Sequence, residues 1–424
     1  MIEADFVVRR IGVLATLAGP APRVGAALRD AGLRTDAALA AASGRIVWMG
    51  PDRDLNRVVA LAAGATVLDA QAAAVVPGFV DAHTHLAFAG DRDEEIRRRL
   101  AGASYQEIAA AGGGIVRTVA STRAASREEL ARLIAARLDE MLLGGTTTAE
   151  VKSGYGLETA AELRSLEAIG DAAAGHPVTI VPTFLGAHDV PLEHRADRGR
   201  YVDLLVAEMI PAVAERRLAA FCDVFCEDGV FTTTESRRIL EAARARGMKL
   251  RLHADELAST GGAELAAELG ARSADHLVHV SGPGMEALAA ASCVATLLPA
   301  AAFYLRLGRF APARALIEAG APIALATDAN PGGGLSPSLP FAMAIGCFSM
   351  GLSLEEALAA ATINAAFSLD LHTRVGSLEV GKQADLVLLR SARLLDLVRV
   401  GVPAVLAVVK AGRVVVRDGR RSPA

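Results

Sequence analysis

The chain has 424 residues, 52% of them hydrophobic and 4% aromatic, with a formal net charge of −4. That composition excludes general disorder, and the charge excludes the basic footprint of a nucleic-acid binder. The longest nearly apolar run, residues 287–305, is broken by Ser292, Thr296 and Pro299, which argues against a membrane helix of roughly 20 residues.

From the N-terminus to about Gly78 the texture is short strands with turns between them. Arg9-Arg10 ahead of an apolar stretch imitates a secretion signal, but Glu3 and Asp5 spoil its basic region. Residues 44–50 and 66–69 read as strands. The same texture returns at the far end, in 381–389 and in 404–410, which the turn Ala411-Gly412 joins to 413–416 as a hairpin. Residues 1–78 and 372–424 are therefore predicted to form one small composite β domain.

Residues 79–371 alternate strand and helix signals instead. Phe79-Val80-Asp81-Ala82-His83-Thr84-His85 reads as a buried strand emerging into a loop. Seven further apolar or β-branched runs follow at 145–150, 178–184, 221–225, 249–253, 273–278, 293–298 and 322–327. Helices separate them. Ser126-Arg127-Glu128-Glu129 and Thr232-Thr233-Thr234-Glu235 are both capping-box candidates, and Gly247 closes the second helix. Eight strand–helix units predict an α/β fold, a parallel (β/α)8 barrel whose chemistry sits at the C-terminal strand ends. The four cysteines, Cys222, Cys226, Cys293 and Cys347, are too scattered for a disulfide framework. They fit buried thiols in a reducing, cytoplasmic setting.

His83 and His85 sit two apart on an extended run and so face the same way. Such a pair can bind one metal ion, or be satisfied by backbone partners. His253 ends the fifth run and Asp328 follows the eighth. In a closed barrel, strands one and eight are neighbours and strand five reaches the mouth from across. Three imidazoles and one carboxylate then converge, a set suited to a single Zn2+ or Fe2+ with a place left for water. No lysine ends the fourth strand, so a lysine-bridged pair of metals is not expected. His276, near the end of the sixth run, reads as a ligand or as a donor that polarises a substrate carbonyl, and His279 as structural. Glu256, three residues after His253, reads as a proton shuttle. The other reading for it is an acid in the first turn of a helix.

These residues resemble the amidohydrolase superfamily, and the likeness runs through nearly the whole chain. It is carried by Pro77-Gly78-Phe79-Val80-Asp81-Ala82-His83-Thr84-His85, Gly112-Gly113-Gly114-Ile115, and the segment from Thr146 through Lys152-Ser153-Gly154-Tyr155-Gly156. It continues in His253-Ala254-Asp255-Glu256, Ser273-Ala274-Asp275-His276 and Thr327-Asp328-Ala329-Asn330-Pro331-Gly332. Within the superfamily the chain looks most like the ring-opening hydrolases of histidine degradation.

That resemblance implies metal ligation by His83, His85, His253 and Asp328. It implies substrate contacts from Arg92, Tyr105, Tyr155, His188 and Glu256, and product contacts from Asn330 and Gly332. Gly333 stands where relatives often have Ser or Thr. Arg92 suits a propionate, since guanidinium binds carboxylate bidentately. The implied reaction opens 4-imidazolone-5-propanoate to N-formimidoyl-L-glutamate with a metal-activated water. His276 would stabilise the oxyanion while Asp328 and Glu256 move protons. The resemblance also points to a homodimer acting on a small molecule, with no nucleic-acid or membrane partner. The rivals are a mononuclear-metal aminohydrolase of a purine or pyrimidine base, and a catalytically silent barrel.

Overall fold

A computed structural model describes residues 1–102 and 113–422. Two sheets organise them. The first is built from both chain ends. From the N-terminal side come β1 (Ile2–Ala15), β2 (Leu33–Ala42), β3 (Arg45–Pro51), β4 (Val59–Asp69) and β5 (Ala74–Pro77). The second sheet comprises β6 (Phe79–Asp81), β7 (Thr146–Lys152), β8 (Thr179–Ala187), β9 (Phe221–Cys226), β10 (Lys249–Ala254), β11 (Ser273–His276), β12 (Val294–Leu297) and β13 (Ile323–Leu325). The C-terminal side then returns to the first sheet with β14 (Leu386–Leu389), β15 (Val405–Lys410), β16 (Arg413–Arg417) and β17 (Arg420–Arg421).

The two ends meet where β14 runs antiparallel to β5, with Val387 opposite Val76. Residues 404–416 form the predicted hairpin, with Ala411 and Gly412 both at positive φ in its turn. Alternate residues of this sheet, among them Phe6, Ile11, Leu14, Leu39, Val75, Leu386 and Val409, bury one shared face. The Arg9-Arg10 stretch lies inside β1, which pairs with β2, β4 and β5.

All eight runs expected in the middle of the chain are strands, parallel and neighbouring in chain order. The barrel closes just past the ends of β6 and β13. There the Asp328 N–H donates to the His83 carbonyl (3.0 Å) and the His85 N–H to the Ala329 carbonyl (2.9 Å). Thr327 reinforces the seam, donating from its N–H (3.1 Å) and its hydroxyl (2.5 Å) to the Asp81 carboxylate. Burial raises Asp81 to about 7.

Helices cover the outside. Thr232 and Glu235 make the reciprocal capping box, and Gly247 follows that helix at φ +82. The Ser126 box is only half made. Its oxygen accepts from the Glu129 N–H and its hydroxyl donates to Glu128, but the Glu129 side chain does not accept the Ser126 N–H in return. All four cysteines are free thiols, three of them buried. Among the described residues no helix is long and apolar enough to cross a membrane.

Candidate active site

Three histidines gather at the mouth of the barrel. β6 ends at Asp81, so His83 and His85 stand on a continuation rather than in the strand itself. The extended register survives there because Thr84 bridges Ala329. The two rings therefore converge, Nε2 to Nε2, at 3.1 Å, and His253 of β10 brings its Nε2 within 3.3 Å of that of His85. Asp328 adds Oδ1 at 3.5 Å from His83 Nε2 and 3.2 Å from His85 Nε2. Burial holds His83 and His85 well below the usual imidazole range, so both rings are neutral.

Two of these rings are oriented from behind. His83 Nδ1 lies 2.6 Å from Asp275 Oδ2, and His253 Nδ1 lies 3.1 Å from Asp223 Oδ1. Burial alone would raise Asp223, yet His253 and Lys152 hold it well below the usual carboxylate range. Asp223 therefore accepts from His253 Nδ1, and Asp275 Oδ2, which also accepts from Arg251, accepts from His83 Nδ1, so each ring presents its Nε2 lone pair to the centre.

This arrangement fits a metal ion. Asp328 Oδ1, which faces the three rings, is buried with no hydrogen-bond partner. Three imidazole nitrogens and one carboxylate oxygen facing each other cannot all be satisfied by the single proton that His85 can supply. One cation among them satisfies all four. Asp328 is also held at φ +51, a left-handed conformation costly for an aspartate and typical of functional strand ends.

His276 ends β11 at φ +75, with its ring centroid 5.3 Å from His253 and 5.6 Å from His83. Its Nδ1 lies 3.5 Å from Glu256 Oε1. Burial, then the neighbouring Asp328 and Glu227, push Glu256 up to about 8, and burial pulls His276 down to about 3. Glu256 is not in a helix turn, since the next helix begins at Gly262. Its loop is pinned by Glu227, which accepts from the N–H groups of Glu256 (2.9 Å), Leu257 (2.9 Å) and Ala258 (3.2 Å). His279 turns instead towards Arg309, 3.4 Å away.

His188 stacks on His85 at 5.0 Å and donates through Nδ1 to the Gly154 carbonyl, 2.9 Å away. The Tyr155 ring lies 5.1 Å from His188 and 6.1 Å from His85. Its loop is held by buried Glu162, which accepts from the N–H groups of Gly154, Gly156 and Leu157. Gly154 sits at φ +110 with the Leu185 carbonyl against it, so a side chain has no place there. Arg92 is not a solvated charge. Its side chain is 12% exposed, and its Nε donates to Thr118 Oγ1 at 2.9 Å. The guanidinium packs on Gly332, where a Cβ would fall 2.3 Å from Nη1.

Asn330 spends its side chain inside its own loop, accepting from Gly332 and Gly333 N–H and donating to the Asp328 carbonyl. Gly333 carries no hydroxyl, and the Leu305 side chain borders the space a Cβ would take. Tyr105 lies outside the described residues. Asp223, Asp275 and Glu227 had no role in the sequence analysis. An acid on a strand next to a ligand's strand, at the ligand's own inward parity, is the signal that finds the first two, since Asp275 stands in register with His253.

A parallel barrel with three buried histidines gathered at its strand ends, a cluster that suggests a divalent metal, defines a hydrolase of the amidohydrolase type. The amidohydrolase family model matches residues 74–415, and the chain belongs to that family. It is 52% identical to the imidazolonepropionase of Symbiobacterium thermophilum over 422 residues, covering 99% of both chains. It is 48% identical to that of Geobacillus kaustophilus, covering 97% of this chain and 98% of the other. Among solved structures, an adenosine deaminase from Xanthomonas campestris with bound zinc superposes at a TM-score of 0.71 with 20% identity, covering 99% of this chain and 95% of that one, which is a likeness of fold.

Proposed function

We propose that the protein hydrolyses the ring amide of 4-imidazolone-5-propanoate, giving N-formimidoyl-L-glutamate in histidine degradation. The observation that carries this is the 52% identity with an imidazolonepropionase across 99% of both chains. Deamination of a purine or pyrimidine base is disfavoured. Its support is structural neighbours of 17% and 20% identity, and a neutral base offers Arg92 no carboxylate.

His83, His85, His253 and Asp328 would hold one divalent ion, and the donor set suits Zn2+ or Fe2+. When bound, such an ion supplies Lewis-acid chemistry, acidifying water and polarising a carbonyl. The chain's own groups supply the rest. His276 offers a ring N–H to the ring carbonyl oxygen as negative charge develops there. Asp328 takes the proton released as water attacks. Glu256, which holds a proton at neutral pH, delivers it to the ring nitrogen as the C–N bond opens. Arg92 binds the propionate, Tyr155 and His188 wall the site, and Asn330 shapes the turn carrying Asp328 and Gly332.

The reading includes a homodimer in the cytoplasm. The free thiols suit a reducing compartment. Exposed Phe303 packs on Phe341, and exposed Phe348 lies two turns along the same helix face, an apolar patch of the kind a second copy covers.

Product analysis tests the reaction. Mass spectrometry should detect N-formimidoyl-L-glutamate from the imidazolone, and ammonia release from guanine or adenosine should stay at background. Ammonia release without the ring-opened product would reverse the assignment.

A further inference from the structure

Beneath the histidines the barrel interior is charged. Glu150, Lys152, Asp223, Arg251 and Asp275 all have fully buried side chains. Barrels of this kind are ordinarily filled by branched apolar residues, and buried ion networks are a poor source of stability. Packing alone therefore does not account for five charges at this level.

Their connections do. Lys152 Nζ donates to Asp223 Oδ2 and to Glu150 Oε1, each at 2.7 Å. Glu150 in turn accepts the Thr84 N–H at 3.1 Å. Arg251 Nη2 donates to Asp275 Oδ2 at 3.2 Å and to the Ala82 carbonyl at 2.8 Å. The two cations repeat one arrangement. Lys152 grips the carboxylate behind His253 and, through Glu150, the backbone between His83 and His85. Arg251 grips the carboxylate behind His83 and the carbonyl just before it.

We infer that Lys152 and Arg251 are positioning residues of the metal centre. They lock the Asp223–His253 and Asp275–His83 pairs onto the His83-Thr84-His85 segment, so that the ring nitrogens are aimed at one point before any ion arrives. This rests on the metal-centre reading above.

The test is the zinc affinity of the metal-free full-length protein, measured by competition with a chromophoric chelator. Circular dichroism confirms folding, and the visible spectrum of the Co2+-loaded protein reports ligand geometry. Arg251→Lys keeps the charge but loses the planar guanidinium, whose Nη2 reaches both Asp275 and Ala82 while Nη1 reaches the Ser368 carbonyl. Lys152→Met removes a positive charge, which on electrostatics alone would tighten a cation. Both should weaken zinc about tenfold or more, the range seen for outer partners of metal ligands, and Arg251→Lys should alter the Co2+ spectrum.

Zinc affinity within twofold of the parent, with only the melting temperature lowered, would make the layer purely structural and overturn the inference. So would tighter zinc binding by Lys152→Met. If these variants do not fold, Asp223→Asn carries the same comparison, since Lys152 then keeps Glu150 as its counter-charge. A parent protein that binds no zinc at all would instead defeat the metal-centre reading itself.

Discussion

The Glu256 carboxyl faces the His276 ring at 3.5 Å, and burial leaves both groups neutral at pH 7 by moving them in opposite directions. Glu256 rises from 4.5 to about 8. The folded metal-free protein thus keeps a proton that the unfolded chain loses. Stability tied to this group is complete below about pH 4.5 and is lost as pH rises towards 8. Glu256→Gln does not titrate, so it should gain on the parent by an amount on the order of a few kcal/mol across that window. Urea unfolding of both proteins at several pH values checks this, and a pH-independent gap would show Glu256 ionised in the fold. In turnover the same substitution should lower kcat by about 10²–10⁴-fold.

Arg92 lies against Gly332 with its Nε on Thr118. Arg92→Ala should raise KM for the propionate substrate by roughly 10–100-fold, the worth of a charged hydrogen-bonded pair, with a smaller change in kcat. Gly332→Ala should act in the same direction by pushing the guanidinium aside. Steady-state kinetics separates the two constants, and a loss confined to kcat would move Arg92 from binding to chemistry.

Gly334 leaves no room for a methyl group. A Cβ there would fall 1.6 Å from the Asp328 carbonyl oxygen, inside a turn closed by Asn330. Gly334→Ala must open that turn and displace Asp328. It should destabilise the fold by roughly 2 kcal/mol or more and lower the metal content of purified protein. Thermal melts and elemental analysis read the two effects separately.

Arg137 stands outside the barrel on the helix Arg127–Leu143, yet it shapes the loop after β6. It donates to the Leu86 and Phe88 carbonyls at 2.7 Å each and stacks 3.4 Å over the Phe88 ring, which meets Tyr155 edge-on. Arg137→Met keeps most of the bulk but leaves the Phe88 carbonyl without its donor, while the Leu86 carbonyl keeps the Phe88 N–H, a cost of about 1–3 kcal/mol. The expected result is a lower melting temperature together with a raised KM, through movement of Tyr155. A lower melting temperature with unchanged KM would separate Arg137 from the site.

The sequence exposed whatever depends on local periodicity. Eight short apolar runs became eight barrel strands in chain order, and His83, His85 and His253 were identifiable because strand ends are where such barrels place chemistry. Asp328 was proposed by the same reasoning, and it lies past its strand in a left-handed kink. The layer beneath was hidden because its partners are distant in sequence. Asp275 and His83 are 192 residues apart, and the inward parity of Asp275 shows only once its strand is set in register against that of His253. β1 was obscured for another reason. Arg9 and Arg10 interrupt its alternation where its pairing with β2 shifts between Val8 and Ile11. The Ser126 box shows the limit of a motif, since the Glu129 side chain does not close the reciprocal bond to the Ser126 N–H.

The central claim is a metal-dependent opening of the imidazolone ring. The most direct measurement follows loss of imidazolonepropionate absorbance, with the substrate generated in the cuvette from urocanate, before and after chelation. The account predicts rapid loss that the chelator abolishes and that added Zn2+ or Fe2+ restores. No turnover by metal-loaded protein, or turnover indifferent to complete metal removal, would contradict it.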